Sequence, residues 1–95
     1  MILNIDAVIS KALRGRILDY LYSIYPKAIS EDKIVKLFIG YYKQDEIIRA
    51  LFYLADRGYI KVIHDKPTFE YQITSKGIDV LHGDIDDKGV FTRGL

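Results

Sequence analysis

Cysteine is absent from this 95-residue chain. That removes disulfides and thiolate metal sites, and it fits a reducing compartment. A dominant charge is missing as well. Fourteen basic and 13 acidic side chains leave a formal net charge of +1, so no global field draws the chain onto nucleic acid. No apolar run approaches the roughly 20 residues that span a bilayer. The opening Met1-Ile2-Leu3-Asn4-Ile5-Asp6 lacks a basic region, and its apolar run is too short for a signal peptide. The expectation is a cytoplasmic chain with no membrane partner. Histidine is scarce: His64 and His82 fall in different elements. His64-Asp65 are neighbours in a turn, which does not make an oriented acid–base pair. His82 near Asp84 and Asp86 fits a solvated helix end better than a metal site. Asp84-Ile85-Asp86-Asp87-Lys88-Gly89 has the acid density of a calcium loop. It fails as one because Lys88 takes a ligand position and Leu95 stands where the bidentate glutamate belongs. No Gly-rich phosphate loop is present. With no catalytic constellation, the chain is expected not to be an enzyme and to need neither cofactor nor metal.

What is present is 49% hydrophobic content, in keeping with one ordered domain. The chain is organised around Gln44 to Thr74. Ile47, Ile48, Leu51, Leu54 and Ala55 repeat at helical spacing over Gln44 to Arg57. Gly58 then ends the helix, since glycine takes the left-handed conformation without a Cβ clash. From Tyr59 to His64 the residues become β-branched and aromatic. Asp65-Lys66-Pro67-Thr68 reads as a turn, and Phe69 to Thr74 alternates with period two. A helix feeding a hairpin is the second half of a winged helix-turn-helix.

The rest of the chain supplies the first half and a closing helix. A first helix is expected from Asp6 to before Pro26. Ile9, Leu13, Ile17, Tyr20, Leu21 and Ile24 lie on one stripe, and Leu18, Tyr22 and Tyr25 on a second. The second stripe meets either the C-terminal helix or another copy of the chain. Gly15 inside this helix costs about 1 kcal/mol relative to alanine, so either another backbone approaches there or the regular helix begins later. Its neighbours Arg14 and Arg16 read as solvated helix charges. Ser30 is an N-cap for a short helix ending at Gly40, with Glu31 and Asp32 in its first turn. Tyr41-Tyr42-Lys43 is the turn into the central helix; two adjacent rings do not easily both point inward, so either both cap the core or one packs while the other is exposed. Thr74 is the N-cap of a last helix with Ile78, Val80 and Leu81 on its apolar side. The expected fold is α+β and mostly α: a winged helix-turn-helix with a three-helix core, a two-stranded hairpin wing and a C-terminal helix. Residues 1–83 form the domain and 84–95 a tail, from which Ile85, Val90 and Phe91 can dock on the body or on a partner.

The runs RALFYLADRGYIKV and YQITSKGIDVL are similar to the recognition helix, wing and closing helix of many small bacterial regulators. Arg14-Gly15-Arg16-Ile17-Leu18, the Asp56-Arg57-Gly58-Tyr59 junction, and Ile73 to Asp79 with its acidic, glycine-containing tail resemble a family of small winged-helix proteins from Mu-like prophages and related bacterial loci. The resemblance implies the fold and a link to DNA and transcription regulation; it assigns no base-reading residues. The residues themselves offer two functions. In the first, the central helix enters the major groove of double-stranded DNA. Lys43, Gln44, Arg49 and Tyr53 then face the duplex, and Lys61 and Lys66 lie on phosphates. A homodimer would bury Leu18, Tyr22 and Tyr25 and present two such helices. In the second, the domain is a protein–protein interaction module that uses Tyr41, Tyr42, Tyr53 and the tail, since tyrosine joins a rigid apolar area to a polar tip. Asp45 and Glu46 at the start of the central helix place negative charge on the groove side.

Overall fold

Asn4 opens the first helix, α1 (Ile5–Ser23), by accepting the Ala7 N–H on its side chain at 3.1 Å. The computed structural model describes residues 4–64 and 67–92. Ser30 caps α2 (Glu31–Phe38) through the Lys33 N–H, and the central helix α3 spans Gln44–Asp56. Strands β2 (Ile60–His64) and β3 (Glu70–Ile73) follow. Thr74 then caps α4 (Ser75–Leu81) through the Gly77 N–H at 3.1 Å. The caps at Ser30 and Thr74 are those the sequence predicts, because a side-chain oxygen satisfies an amide that the first helical turn leaves unpaired.

The architecture is α+β and mostly helical. The sheet differs from the expected two-stranded hairpin: it has three antiparallel strands in the order β1-β3-β2. The added strand β1 is two residues long, Ile29–Ser30, and pairs Ile29 with Tyr71 and Ser30 with Glu70. It is fastened beyond its own ladder, by Glu31 N–H donating to the Phe69 carbonyl at 2.8 Å and by the Tyr71 hydroxyl donating to Glu31 at 2.9 Å. Within the hairpin, Ile60 pairs with Ile73 and Val62 with Tyr71. Ile60, Ile73 and Tyr71 are buried, so one face of the sheet looks inward and the other outward.

The core forms where α1 packs against α3, α4 and β3. Leu13, Ile17, Leu18 and Leu21 join Ile34, Ile47, Leu51, Leu54, Ile73 and Val80 in one cluster. This corrects the expectation for Leu18. It is 0% exposed within its own chain, in the cluster that also holds Val80 and Leu81 of α4, so it is not available to a second copy. Tyr22 and Tyr25 of the same stripe remain exposed. The Tyr22 ring meets His82 edge-on at 5.3 Å, so His82 is a packing partner rather than a bare helix end.

Two glycines fix the path of the chain. Gly58 has φ +78° and turns α3 into β2, as its place in the sequence predicts. Gly15 lies where another backbone approaches: a methyl group at its Cα would overlap the Phe91 carbonyl oxygen. The Phe91 N–H donates to the Lys11 carbonyl at 3.0 Å, one helical turn before Gly15. The segment after α4 is therefore held against α1.

Gly58→Val is expected to destabilise the protein by about 1–2 kcal/mol, since a β-branched residue is strained at positive φ; denaturant unfolding measures it. Gly15→Ala is expected to reverse the usual helix trend. A buried-helix Gly→Ala change ordinarily stabilises by about 1 kcal/mol. Here it should lower stability and strip the Phe91 amide of its hydrogen-exchange protection. A stabilised variant with that protection intact would remove the close approach from the account.

Candidate nucleic-acid interface

The outer surface of α3 consists of two i, i+4 rows. One runs Gln44, Ile48, Phe52, Asp56 and the other Asp45, Arg49, Tyr53, Arg57. The second row is largely occupied by contacts inside the protein. Arg49 donates to Asp45 at 2.8 Å, with both side chains mostly exposed. Such a pair is worth about 0.3–0.5 kcal/mol, yet it holds the guanidinium against a carboxylate on the same surface.

Tyr53, expected to face outward, is half-buried under the segment after α4. Two guanidinium groups approach its ring, Arg14 at 3.7 Å and Arg57 at 4.7 Å from the centroid, contacts favoured by the negative face of the ring. Its hydroxyl donates to Asp87 at 3.3 Å. Arg14 is thus not the solvated helix charge that its sequence position implies. Besides covering Tyr53, it donates to the Gly89 carbonyl at 3.0 Å.

Asp87 is the centre of this arrangement. Its carboxylate, 6% exposed, accepts from the Tyr53 and Tyr59 hydroxyls and from the Gly89 N–H at 2.7 Å, and Arg57 stands 3.7 Å away. Burial alone would raise its pKa. The Tyr59 hydroxyl, the Gly89 amide, the Arg57 charge and the Tyr53 hydroxyl outweigh that and lower it. The same contact acts in reverse on Tyr59. Burial, then the bond to an anionic acceptor, push its phenol up to about 12. Val90, three residues on, is buried in the core. The Asp87 cluster and Arg14's contact with the tail were missed at the sequence level. The only signal was Gly15, which announced an approaching backbone without saying which.

The remaining expected site residues divide into separate regions. Lys43 and Gln44 are exposed at the start of α3. Lys43 lines a cleft of about 490 Å³ between α1 and α3 together with Arg14, Arg49, Asp6, Asp45 and Glu46. That cleft carries both charge signs in equal number. Glu46 also has a structural duty, accepting the Lys43 N–H at 3.0 Å, so Asp45 and Asp56 are the acids on the open face. Lys61 is exposed on β2; Lys66 lies outside the described residues. The two turn tyrosines part company. Tyr42 is half-buried and packs on Phe38 at 6.4 Å, whereas Tyr41 is 86% exposed and caps nothing. Phe52 was also overlooked: it is 60% exposed on the outer surface of α3. Among the described residues, no group of three His, Cys, Asp or Glu side chains could hold a metal. No described helix is long and apolar enough to cross a membrane.

Compared with known proteins, the chain matches no family model, no curated protein and no solved structure.

The lowered pKa of Asp87 has a definite sign in stability. Its contribution is fully present above the unfolded carboxyl value of about 3.9 and is lost as pH falls through the folded value. Asp87→Asn is expected to cost about 1–3 kcal/mol at pH 7, because two hydroxyls and an amide lose an anionic acceptor. The variant should also show a shallower loss of stability below pH 4. Parallel acid limbs for the two proteins in denaturant titrations would count against the assignment.

Proposed function

We propose that this chain is a winged helix-turn-helix protein that binds double-stranded DNA and serves as a regulator of transcription. In this reading α2 and α3 form the helix-turn-helix, α3 enters the major groove, and β2 with β3 is the wing. The reading is carried by the element order α1-β1-α2-α3-β2-β3-α4 with a hairpin directly after α3, taken with the exposure of Gln44, Asp45, Arg49 and Phe52 along α3. Lys43, Lys61 and Lys66 are the cations for phosphates, and Gln44 and Arg49 are the polar groups for base edges. Tyr53 drops out of the contact set because the Asp87 cluster holds it. The assembly that fits best is a homodimer joined through Tyr22 and Tyr25 without Leu18, placing two α3 helices on half-sites about 34 Å apart or a multiple of that.

A second reading, a protein–protein interaction module, is favoured by Tyr41. Its bare ring stands beside a cavity of about 370 Å³ lined by Arg16, Leu37, Phe38 and Tyr42. Selection from a random pool of duplexes at near-physiological salt separates the two: enrichment of a sequence supports DNA binding, and none leaves the interaction module.

The sharpest protein variant is Asp45→Asn, which removes an exposed negative charge and releases Arg49. It is expected to strengthen binding to every duplex sequence. With about three phosphate contacts per subunit, log affinity should fall against log salt with a slope near −3. Lys61→Ala should reduce that slope by about one and weaken all sequences alike. If Asp45→Asn keeps its fold and leaves DNA affinity unchanged, α3 does not lie in a groove.

A further inference from the structure

The two rows on α3 are not equivalent, and the difference carries a specificity. Arginine is the usual reader of guanine, through a bidentate bond to O6 and N7. Here Arg49 is shared with Asp45 at 2.8 Å, an exposed and weak pair that a base contact of Arg49 has to break, while Tyr53 and Arg57, farther along the same row, are engaged with Asp87. The neighbouring row keeps its recognition groups free. Gln44 is exposed and makes no side-chain bond among the described residues. Phe52, two turns on, leaves 60% of its surface open, and Ile48 between them is partly buried against the core.

We infer that this row reads A·T base pairs, with Gln44 on an adenine and Phe52 against a thymine methyl group. The inference rests on the DNA-binding reading and adds to it the composition of the site. A glutamine amide matches adenine in the major groove, its carbonyl accepting from N6 and its NH₂ donating to N7. The thymine C5-methyl is the apolar group that the major groove offers to an aromatic ring. Eight residues separate the two side chains, about 12 Å along the helix. With that separation along a helix lying in the major groove, the two contacts fall on different base pairs of one half-site. Asp56 closes the row one turn beyond Phe52 and is exposed. Its charge disfavours phosphate there and sets the amino-terminal end of α3 deeper in the groove.

The test changes the DNA as well as the protein. Duplexes enriched from a random pool are resynthesised with deoxyuridine for each thymidine in turn, which deletes only the methyl group. One or two positions in each half-site should bind about threefold to fivefold more weakly, the effect of removing one buried methyl. Phe52→Ala should erase that difference, and the exposure of its ring means the fold should survive, which circular dichroism checks. Gln44→Ala should lose roughly tenfold on the enriched site and little on unrelated duplexes. Enriched sites centred on G·C pairs, or indifference to every uridine, overturn the inference and leave DNA binding standing. A pool that yields no enriched duplex overturns both.

Discussion

The constraint on which the structure depends is that α1 is apolar on more than one side and has to be covered on each. Leu13, Ile17, Leu18 and Leu21 are at most 1% exposed, and several elements share the work of covering this helix. α3, β3 and α4 pack on this helix, and the segment after α4 crosses it at Gly15. A small domain has little apolar surface to spare, so it uses the last segment of the chain as part of the wall. That segment brings two apolar side chains, the buried Val90 and the partly buried Ile85, and one buried carboxylate. The carboxylate can be buried because four partners converge on it. Without them, desolvation would cost several kcal/mol.

This arrangement also makes Arg14 a joint between elements. Its guanidinium lies on a ring of α3 and donates to a carbonyl of the last segment, while its backbone belongs to α1. One side chain therefore ties three parts of the chain together. Arginine suits the position: its planar group stacks on an aromatic face and still directs donors outward in its own plane.

The helices, their caps and the Gly58 junction were legible because each depends on neighbours close in sequence. Apolar periodicity reports a helix, a hydroxyl before acidic residues reports a cap, and a glycine at a change of period reports a positive φ. β1 was hidden for the same reason. Two residues carry no period, and Ile29-Ser30 already had a complete local explanation as the entrance to α2. The fate of the last segment was hidden more deeply. It docks through a buried carboxylate, a buried valine, the partly buried Ile85, and bonds to Lys11 and Arg14, none of which leaves a repeating pattern. The burial of Asp87 left no local mark because its side-chain partners Tyr53, Arg57 and Tyr59 lie 28 to 34 residues away. The outward placement of Tyr53 failed with it. The helical wheel locates a residue on the circumference of α3 but cannot say which side a distant segment will cover.

The physical consequence falls on α3. Placing Tyr53 under the last segment, with the exposed Arg57 beside Asp87, fixes the roll of the helix from one flank, and the core fixes it from beneath through Ile47, Leu51 and Leu54. What remains open is a narrow face on which Arg49 is neutralised locally by Asp45, and the recognition groups left without an internal partner are an amide and a phenyl ring. Such a face gains little from long-range attraction, since net charge near zero and paired surface ions give weak steering. In the DNA-binding reading, selectivity comes from short-range fit: directional hydrogen bonds at Gln44 and shape at Phe52. Those terms vary little with salt, whereas the few lysine–phosphate contacts vary strongly. In the DNA-binding reading, raising the salt concentration therefore lowers affinity while leaving the ranking of sequences largely unchanged.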